Sequence, residues 1–336
     1  QKDRARNAAS IETGDWVIIR EGETAFVGYD QTEADAQILR YRKMVQKGKE
    51  FYQVVLSVTP FYAEMGGQVG DSGVLETESE KIQVIDTKKE NNLPIHILTT
   101  LPKQIEATFK AIIDIDNRMA TEANHTATHL LHEVLRDLLG QHVEQKGSYV
   151  SPESLRFDFS HFQKLTPEEI RKVEHAVNKK IRMNEPLHER RNVPIAEAKS
   201  LGAMALFGEK YGDSVRVIQY GSSIELCGGT HAKSTGNIGI FKIVSESSIA
   251  AGVRRIEAVT AEHAEFLIDD LQNMQVSVRE MFNNVPDVVQ AAQRTLEDNT
   301  ALRKKIDIFM QERALQIRDN MLNRAEQFGD VKLIRY

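Results

Sequence analysis

Two short motifs, about a hundred residues apart, constrain this chain more than any other feature of its sequence. The first contains His125 and His129, four residues apart in a stretch with helical apolar periodicity, so both imidazoles lie on one helix face. The second contains Cys227 and His231 at the same spacing, around a Gly-Gly pair. A histidine pair alone is more often a packing feature. Together with the only cysteine of the chain, it makes a nitrogen and sulfur donor set that suits tetrahedral Zn²⁺, one per chain.

The composition excludes several classes of protein. The chain has 336 residues, 41% of them hydrophobic, which is enough for two or three domains. A formal net charge of −6 argues against a broadly basic nucleic-acid coat and leaves room for a local basic groove. One cysteine permits no internal disulfide and favours a cytoplasmic location. The sequence contains no apolar run long enough to predict a membrane span, and its first residues do not predict a signal peptide. The first residue is not Met and the last residues resemble an unpaired strand, so we expect a fragment of a longer protein.

Local patterns predict an α+β multidomain chain. Residues 15–115 contain short β-branched segments separated by Gly, Asn, Asp and Pro, which predicts a small β-barrel interrupted by one helix over residues 33–47. Residues 116–260 predict an α+β core, in which Thr166 begins a helix as its N-cap and strands flank the cysteine motif. Residues 261–336 predict a long coiled-coil-like segment, with a second helix that runs to about residue 328. A helical hairpin or an oligomerisation arm is the simplest interpretation of that segment.

Seven segments appear in an order and with residues that are specific in combination. They are residues 60–71, 124–131, 145–148, 155–159, 202–211, 227–231 and 251–258. With them the chain resembles the editing region of alanyl-tRNA synthetases over nearly its whole length, without departure at the motif positions. The resemblance implies a linker helix over residues 1–14, then the barrel, a zinc-bearing editing core and the helical start of a C-terminal domain. It also implies a separate aminoacylation domain, using ATP and Mg²⁺, that lies outside this chain.

The resemblance implies a hydrolytic function. A pocket that activates alanine gains little discrimination against glycine, which lacks one methyl group, and it rejects the extra hydroxyl of serine poorly. A second site is then needed to hydrolyse the ester in mischarged Ser-tRNA(Ala) and Gly-tRNA(Ala), so we expect an aminoacyl-tRNA deacylase with tRNA(Ala) as partner. Two alternatives remain open from the sequence. One is a free-standing deacylase that acts in trans, and the other is a non-catalytic, zinc-stabilised binding module whose helical tail recruits partners or a second copy of the chain.

The role of the metal also remains open at this point. Four protein ligands fill a tetrahedron, and closed sites of this kind are usually structural. Either one ligand is loose, or the coordination expands to five, or the metal orients and polarises the substrate while another group handles the water. We favour the last of these. No Asp or Glu in the motifs stands out as a general base.

The resemblance assigns active-site roles to Thr128 and Gln145. The Thr128 hydroxyl is expected to contact a serine side chain, although a helical threonine often bonds its own i−4 carbonyl instead. The Gln145 amide is expected to donate to a carbonyl or accept from water. His132 is expected to pack or to support the ligands from outside. Residues 202–212 lack the features of a phosphate-binding loop and are expected to form a wall of the amino-acid pocket.

Five cations are candidates for contacts with the tRNA acceptor end. They are Arg254, Arg255, Lys146, Lys233 and Lys242. Each of them alone is more often a solvated surface charge, so only their combination suggests a basic groove.

Overall fold

The computed structural model describes residues 11–205 and 212–334. The first part of the chain forms a closed β-barrel. Its strands are β1 (Ile11–Thr13), β2 (Val17–Ile18), β3 (Ala25–Phe26), β4 (Glu33–Gln46), β5 (Lys49–Leu56), β6 (Val58–Thr59), β7 (Gly73–Glu76), β8 (Lys81–Glu90), β9 (Leu93–Leu98) and β10 (Thr108–Ile113). Six of them pair antiparallel in the order β4-β10-β7-β8-β9-β5, and β5 pairs again with β4 to close the barrel. The predicted small barrel is therefore confirmed.

The helix predicted over residues 33–47 is wrong, because this segment is the 14-residue strand β4. Its sequence is rich in good helix formers, but it pairs with β10 on one edge and β5 on the other. Ala36 and Ile38 are 1% and 0% exposed in the barrel interior, and Leu39 packs with Val55 in a separate apolar cluster. Two paired edges and two partly buried faces outweigh a modest helix propensity.

The predicted linker helix over residues 1–14 is also incorrect at its end. Ile11–Thr13 is strand β1, which pairs with β4, while residues 1–10 lie outside the described part of the chain.

The second part of the chain packs helices against antiparallel sheets. Its helices are α1 (Ile115–Leu139), α2 (Pro167–Met183) and α3 (Ile195–Ser200), together with a 3-10 helix (Thr235–Ile238). Its strands are β11 (Gln145–Val150), β12 (Leu155–Ser160), β13 (His188–Pro194), β14 (Ser214–Tyr220), β15 (Ser223–Leu226), β16 (Phe241–Ala250) and β17 (Val253–Thr260). One sheet has the order β11-β12-β17-β16 and the other β13-β14-β15.

The apolar core of this part forms between α1, α2 and the four-stranded sheet, with Leu131, Phe157 and Val177 fully buried. Thr166 is the N-cap of α2 and forms a complete capping box with Glu169, as the sequence predicts.

The last part of the chain is mainly helical, with α4 (Ala261–Met281), α5 (Val288–Asn323), β18 (Glu326–Phe328) and β19 (Val331–Leu333). The described residues form two compact units, which divide between Phe266 and Leu267. The predicted end of the second helix near residue 328 is wrong, because α5 ends at Asn323 and a short hairpin follows. Gly329 has φ of 62°, which permits the hairpin turn and gives β19 a partner that we did not predict.

The apolar stripe predicted along the helical tail is exposed to solvent in this chain. Apolar side chains of α5 such as Leu302 and Phe309 are 56% and 67% exposed. Self-association through this tail and the domain limits at residues 14, 115 and 260 stay predictions. None of the helices that the structure describes is both long enough and apolar enough to span a membrane.

Candidate metal centre

The two sequence motifs meet in space. One potential ligand atom from each of His125, His129, Cys227 and His231 lies within 4.8 Å of the other three. The Cys227 Sγ is 3.4 Å from His125 Nε2 and 3.3 Å from His231 Nε2. A tetrahedral zinc ion with ordinary bond lengths holds nitrogen and sulfur ligands about 3.5 Å apart. The residues present therefore fit the ion that their chemistry implies.

Helix α1 supplies the two histidines from its most buried segment. Asp114 is its N-cap and accepts a hydrogen bond from the Asn117 amide, which sets where the helix begins. From that start, His125 and His129 are one turn apart, and both are nearly fully buried.

The loop over residues 227–231 follows β15 and approaches α1 very closely. A Cβ atom on Gly229 would lie 2.1 Å from His125 Cε1 and 2.6 Å from Gln68 Oε1. Any side chain at this position would push the loop away from His125. Gly229 is therefore a steric requirement of the site.

Two candidate ligands have their Nδ1 atoms held by residues that the sequence analysis did not select. His125 Nδ1 donates to Gln68 Oε1 over 2.8 Å, and His231 Nδ1 lies 3.2 Å from Thr126 Oγ1. Such outer contacts fix the tautomer and the ring orientation, which leaves Nε2 for a metal. Gln68 belongs to a segment that carries the family resemblance, but no local spacing links it to His125.

A buried carboxylate supports the third histidine. Glu225 Oε2 lies 3.5 Å from His129 Nδ1, and its other oxygen lies 3.1 Å from His132 Nδ1. Burial acts to raise the pKa of Glu225, but the facing histidines hold it below the ordinary value, so the group is ionised. An anion at this position compensates part of the charge of a divalent cation. His132 thus contacts the site through Glu225, in agreement with the supporting role expected of it.

The three histidines of the cluster are held neutral. Burial lowers the pKa of His125, His129 and His231, and in His129 it outweighs the opposing charge of Glu225. Neutral imidazole is the form that binds a metal. The site is thereby prepared for a cation and is unfavourable for protons.

Two residues outside the motifs hold the backbone of the 227–231 loop. Arg216 Nη1 donates to the carbonyl oxygens of Cys227 (3.0 Å) and Gly229 (2.5 Å). The Tyr29 hydroxyl donates to the Gly228 carbonyl over 2.5 Å, and the Arg216 guanidinium stacks 4.0 Å from the centre of the Tyr29 ring. Neither residue was predicted, because neither stands near a ligand in the chain.

A cavity of about 230 Å³, which we call the metal-side cavity, opens beside the cluster. Thr128 and Gln145 both line it, together with His125, His129 and Cys227. Thr128 Oγ1 donates to the Asn124 carbonyl over 2.8 Å, which is the i−4 bond that we weighed as the alternative role. Gln145 Nε2 donates to Ser148 Oγ over 3.3 Å. The positions of both residues fit their predicted roles, and the roles themselves stay predictions.

Four of the five cations predicted to contact tRNA form ion pairs within the chain. The pairs are Arg254 with Glu246, Arg255 with Asp158, Lys242 with Glu174 and Lys146 with Glu144. Lys233 is exposed and lines a different cavity. None of the five is among the described residues that line the metal-side cavity, so a common basic groove stays a prediction.

The loop over residues 202–212 cannot be compared with its predicted role, because residues 206–211 lie outside the described part of the chain.

Comparison with known proteins identifies the chain's relatives. Residues 215–257 match the family described as threonyl and alanyl tRNA synthetase second additional domain, and residues 2–119 match class II (A) tRNA synthetases. Alanine–tRNA ligase of Bacteroides fragilis is 60% identical over 336 residues, which is 100% of this chain and 38% of that protein. The alanine–tRNA ligases of Porphyromonas gingivalis (57%, covering 100% and 38%) and Flavobacterium psychrophilum (44%, covering 99% and 39%) are also similar. The chain thus spans about two fifths of the length of these relatives.

Proposed function

The chain belongs to the alanine–tRNA ligase family, and from that premise we propose that it hydrolyses the ester bond of mischarged Ser-tRNA(Ala) and Gly-tRNA(Ala). The observation that carries this proposal is the convergence of four nitrogen and sulfur donors beside a cavity lined by Thr128 and Gln145. The rest of the ligase would attach alanine to tRNA(Ala) in the cytoplasm, using ATP and Mg²⁺.

In this proposal His125, His129, Cys227 and His231 hold one Zn²⁺. A bound zinc ion supplies a positive charge that orients the substrate and polarises the ester carbonyl. Water adds to the carbonyl carbon, the bond to the ribose oxygen breaks, and the proton passes to that oxygen. The products are the free amino acid and the tRNA 3′ end.

Thr128 would recognise the serine side chain. Its hydroxyl hydrogen is directed to the Asn124 carbonyl, which leaves the oxygen lone pairs to accept from another donor. The hydroxyl of serine is such a donor, whereas the methyl group of alanine is not. The same i−4 bond that is ordinary for a helical threonine therefore sets the polarity of this contact.

Gln145 would position the reacting groups. Its amide nitrogen donates to Ser148, so its Oε1 is directed to accept from the ammonium group of the amino acid or from the attacking water. No carboxylate is among the described residues that line the cavity. We therefore place no carboxylate base in the reaction.

The test is ester loss from Ser-tRNA(Ala) incubated with the full chain, with Cys227→Ala as the first variant. We expect that variant to lose most of the rate together with stoichiometric zinc. A variant that hydrolyses at the parent rate would remove the metal from the mechanism. No ester loss from a zinc-loaded parent chain would favour the non-catalytic binding module.

The second variant is Thr128→Val, and Thr121→Val is its matched control. Thr121 lies on the same helix, is equally buried and makes the same i−4 bond, to the Asn117 carbonyl, but it does not line the cavity. Loss of one hydrogen bond to the substrate costs about 1 kcal/mol. We expect Thr128→Val to slow Ser-tRNA(Ala) hydrolysis roughly fivefold, with less effect on Gly-tRNA(Ala), and Thr121→Val to retain the parent ratio.

A further inference from the structure

A second cavity lies at the end of the 227–231 loop. It has a volume of about 360 Å³ and is larger than the metal-side cavity. The two share no lining residue among those described, although His231 and Ala232 form part of the second wall. Helix α1 contributes Met119 and Glu122 to it, and Lys233 follows the loop. This cavity has no part in the function proposed above.

Two of the charged residues that line the second cavity are already neutralised. Arg118 is 3% exposed, and its Nε lies 3.0 and 3.1 Å from the two oxygens of Asp71, while its Nη1 donates to the Gly28 carbonyl over 2.8 Å. Asp30 receives two hydrogen bonds from Arg191, of 2.7 and 2.8 Å. Neither residue has its charge available to a bound molecule.

Glu122 and Lys233 differ from that pair. Glu122 forms a long ion pair with Arg118, in which Nη1 of Arg118 lies 3.7 Å from Glu122 Oε1. Burial raises the pKa of the Glu122 carboxyl to about 7 although the charge of Arg118 lowers it, so the protein compensates the negative charge only in part. In the part of the chain that the structure describes, no carboxylate lies within 4.0 Å of the Lys233 ammonium. The cavity therefore contains a carboxyl group whose charge is only partly compensated, and an ammonium group without a close carboxylate among the described residues.

The Glu122 carboxyl is also held in place. It forms a hydrogen bond with the Thr230 side chain, whose oxygen accepts from Gln68 Nε2 over 2.9 Å. Gln68 Oε1 in turn accepts from His125 Nδ1. A fixed carboxylate loses little freedom when a ligand binds, which favours binding.

We propose that this second cavity binds a free α-amino acid, with its ammonium group at Glu122 and its carboxylate at Lys233. The apolar side chains of Met119, Ile115 and Leu187 line the same cavity and would contact the aliphatic side chain of the ligand. A nucleotide fits poorly, because its phosphates would meet the negative charge of Glu122. The volume is within the range of small-molecule sites.

Two methionines allow the two cavities to be observed separately. Met119 lines the second cavity and Met65 lines the metal-side cavity. The full chain is labelled with 13C at the methionine methyl groups, and the variants Met119→Leu and Met65→Leu assign the two signals. Added L-alanine or L-serine should shift the Met119 signal along a saturating curve, with a Kd of roughly 1 mM. Lactate, which lacks the ammonium group, and 2-aminopropan-1-ol, which lacks the carboxylate, should each bind at least ten times more weakly. An unmoved Met119 signal at saturating amino acid, or equal shifts with lactate, would overturn the proposal.

Glu122→Gln should weaken amino-acid binding at least tenfold while the chain still folds, because the amide keeps the shape of the carboxylate. Glu133→Gln is the matched control, since Glu133 lies on the same helix but pairs with Lys180 and does not line the cavity. Binding to Glu122→Gln at the parent affinity would contradict the proposal, as would an equal loss in Glu133→Gln. No tRNA enters this experiment, so its result is independent of ester hydrolysis.

Discussion

The barrel contains one buried histidine and the metal centre contains three, and the two regions differ in what the ring nitrogens contact. In the barrel, His96 is fully buried, and its Nδ1 donates to the Val54 carbonyl over 3.1 Å. Its Nε2 lies 2.7 Å from the hydroxyl of Thr59, which itself accepts from the Phe61 amide. Thr59 therefore donates to His96, and both ring nitrogens are satisfied by protein groups.

In the metal centre only one nitrogen of each histidine is satisfied in that way. Gln68 accepts from His125 Nδ1, but the Nε2 of the same ring faces the sulfur of Cys227. The ring centres of His231 and His129 lie 4.3 and 5.2 Å from the ring centre of His125. Burial lowers the pKa in both regions. Burial and a lowered pKa therefore do not identify a ligand. The distinguishing feature is a set of second nitrogens that converge on one point.

The sharpest test of this distinction pairs His231→Ala with His96→Ala. We expect His231→Ala to lower zinc affinity on the order of 100-fold, because one of four ligands is lost. His96→Ala should keep the parent zinc affinity and destabilise the chain by about 2–4 kcal/mol, since it leaves a cavity and two unsatisfied polar groups. Zinc titration against a competing chelator and thermal unfolding measure the two effects. Zinc loss in His96→Ala, with the fold intact, would break the comparison.

The next test replaces the outer partners of the same histidines. Glu225→Gln should lower zinc affinity about 10–100-fold, as is usual for groups that orient a ligand. Thr59→Val, its counterpart in the barrel, should cost about 1–2 kcal/mol of stability without changing zinc affinity. If Glu225→Gln binds zinc at full affinity, the carboxylate has no part in the site.

The smallest expected effect is a pH dependence. Burial lowers the pKa of His96 from 6.5 to about 4, so the unfolded chain takes up this proton first as the pH falls. The contribution of His96 is complete above pH 6.5 and is lost as the pH falls through 6.5 towards 4. Between pH 7.5 and 5.5, the destabilisation caused by His96→Ala should shrink by about 1 kcal/mol. Chemical unfolding at both pH values measures it, and a difference that grows at low pH would have the wrong sign.

Local patterns in the sequence were sufficient for much of the fold. Helix α1 with its histidine pair, the capped helix α2 that begins after Thr166, and the closed barrel agree with prediction. Strand β4 does not, because its residues favour a helix in isolation and become a strand only where β5 and β10 supply hydrogen-bond partners. Propensity is a property of the segment, whereas pairing is a property of the whole barrel.

The sequence by itself determined which side chains share a helix turn or a tight loop, because a period of 3.6 residues and a Gly-Gly pair act over short distances. It thereby placed His125 with His129, and Cys227 with His231. Only the tertiary structure decided that these pairs meet, that Gln68 reaches Thr230 across 162 positions of the chain, and that Glu225 lies behind His129. These contacts depend on how the sheets and α1 pack together, and no local period encodes that packing.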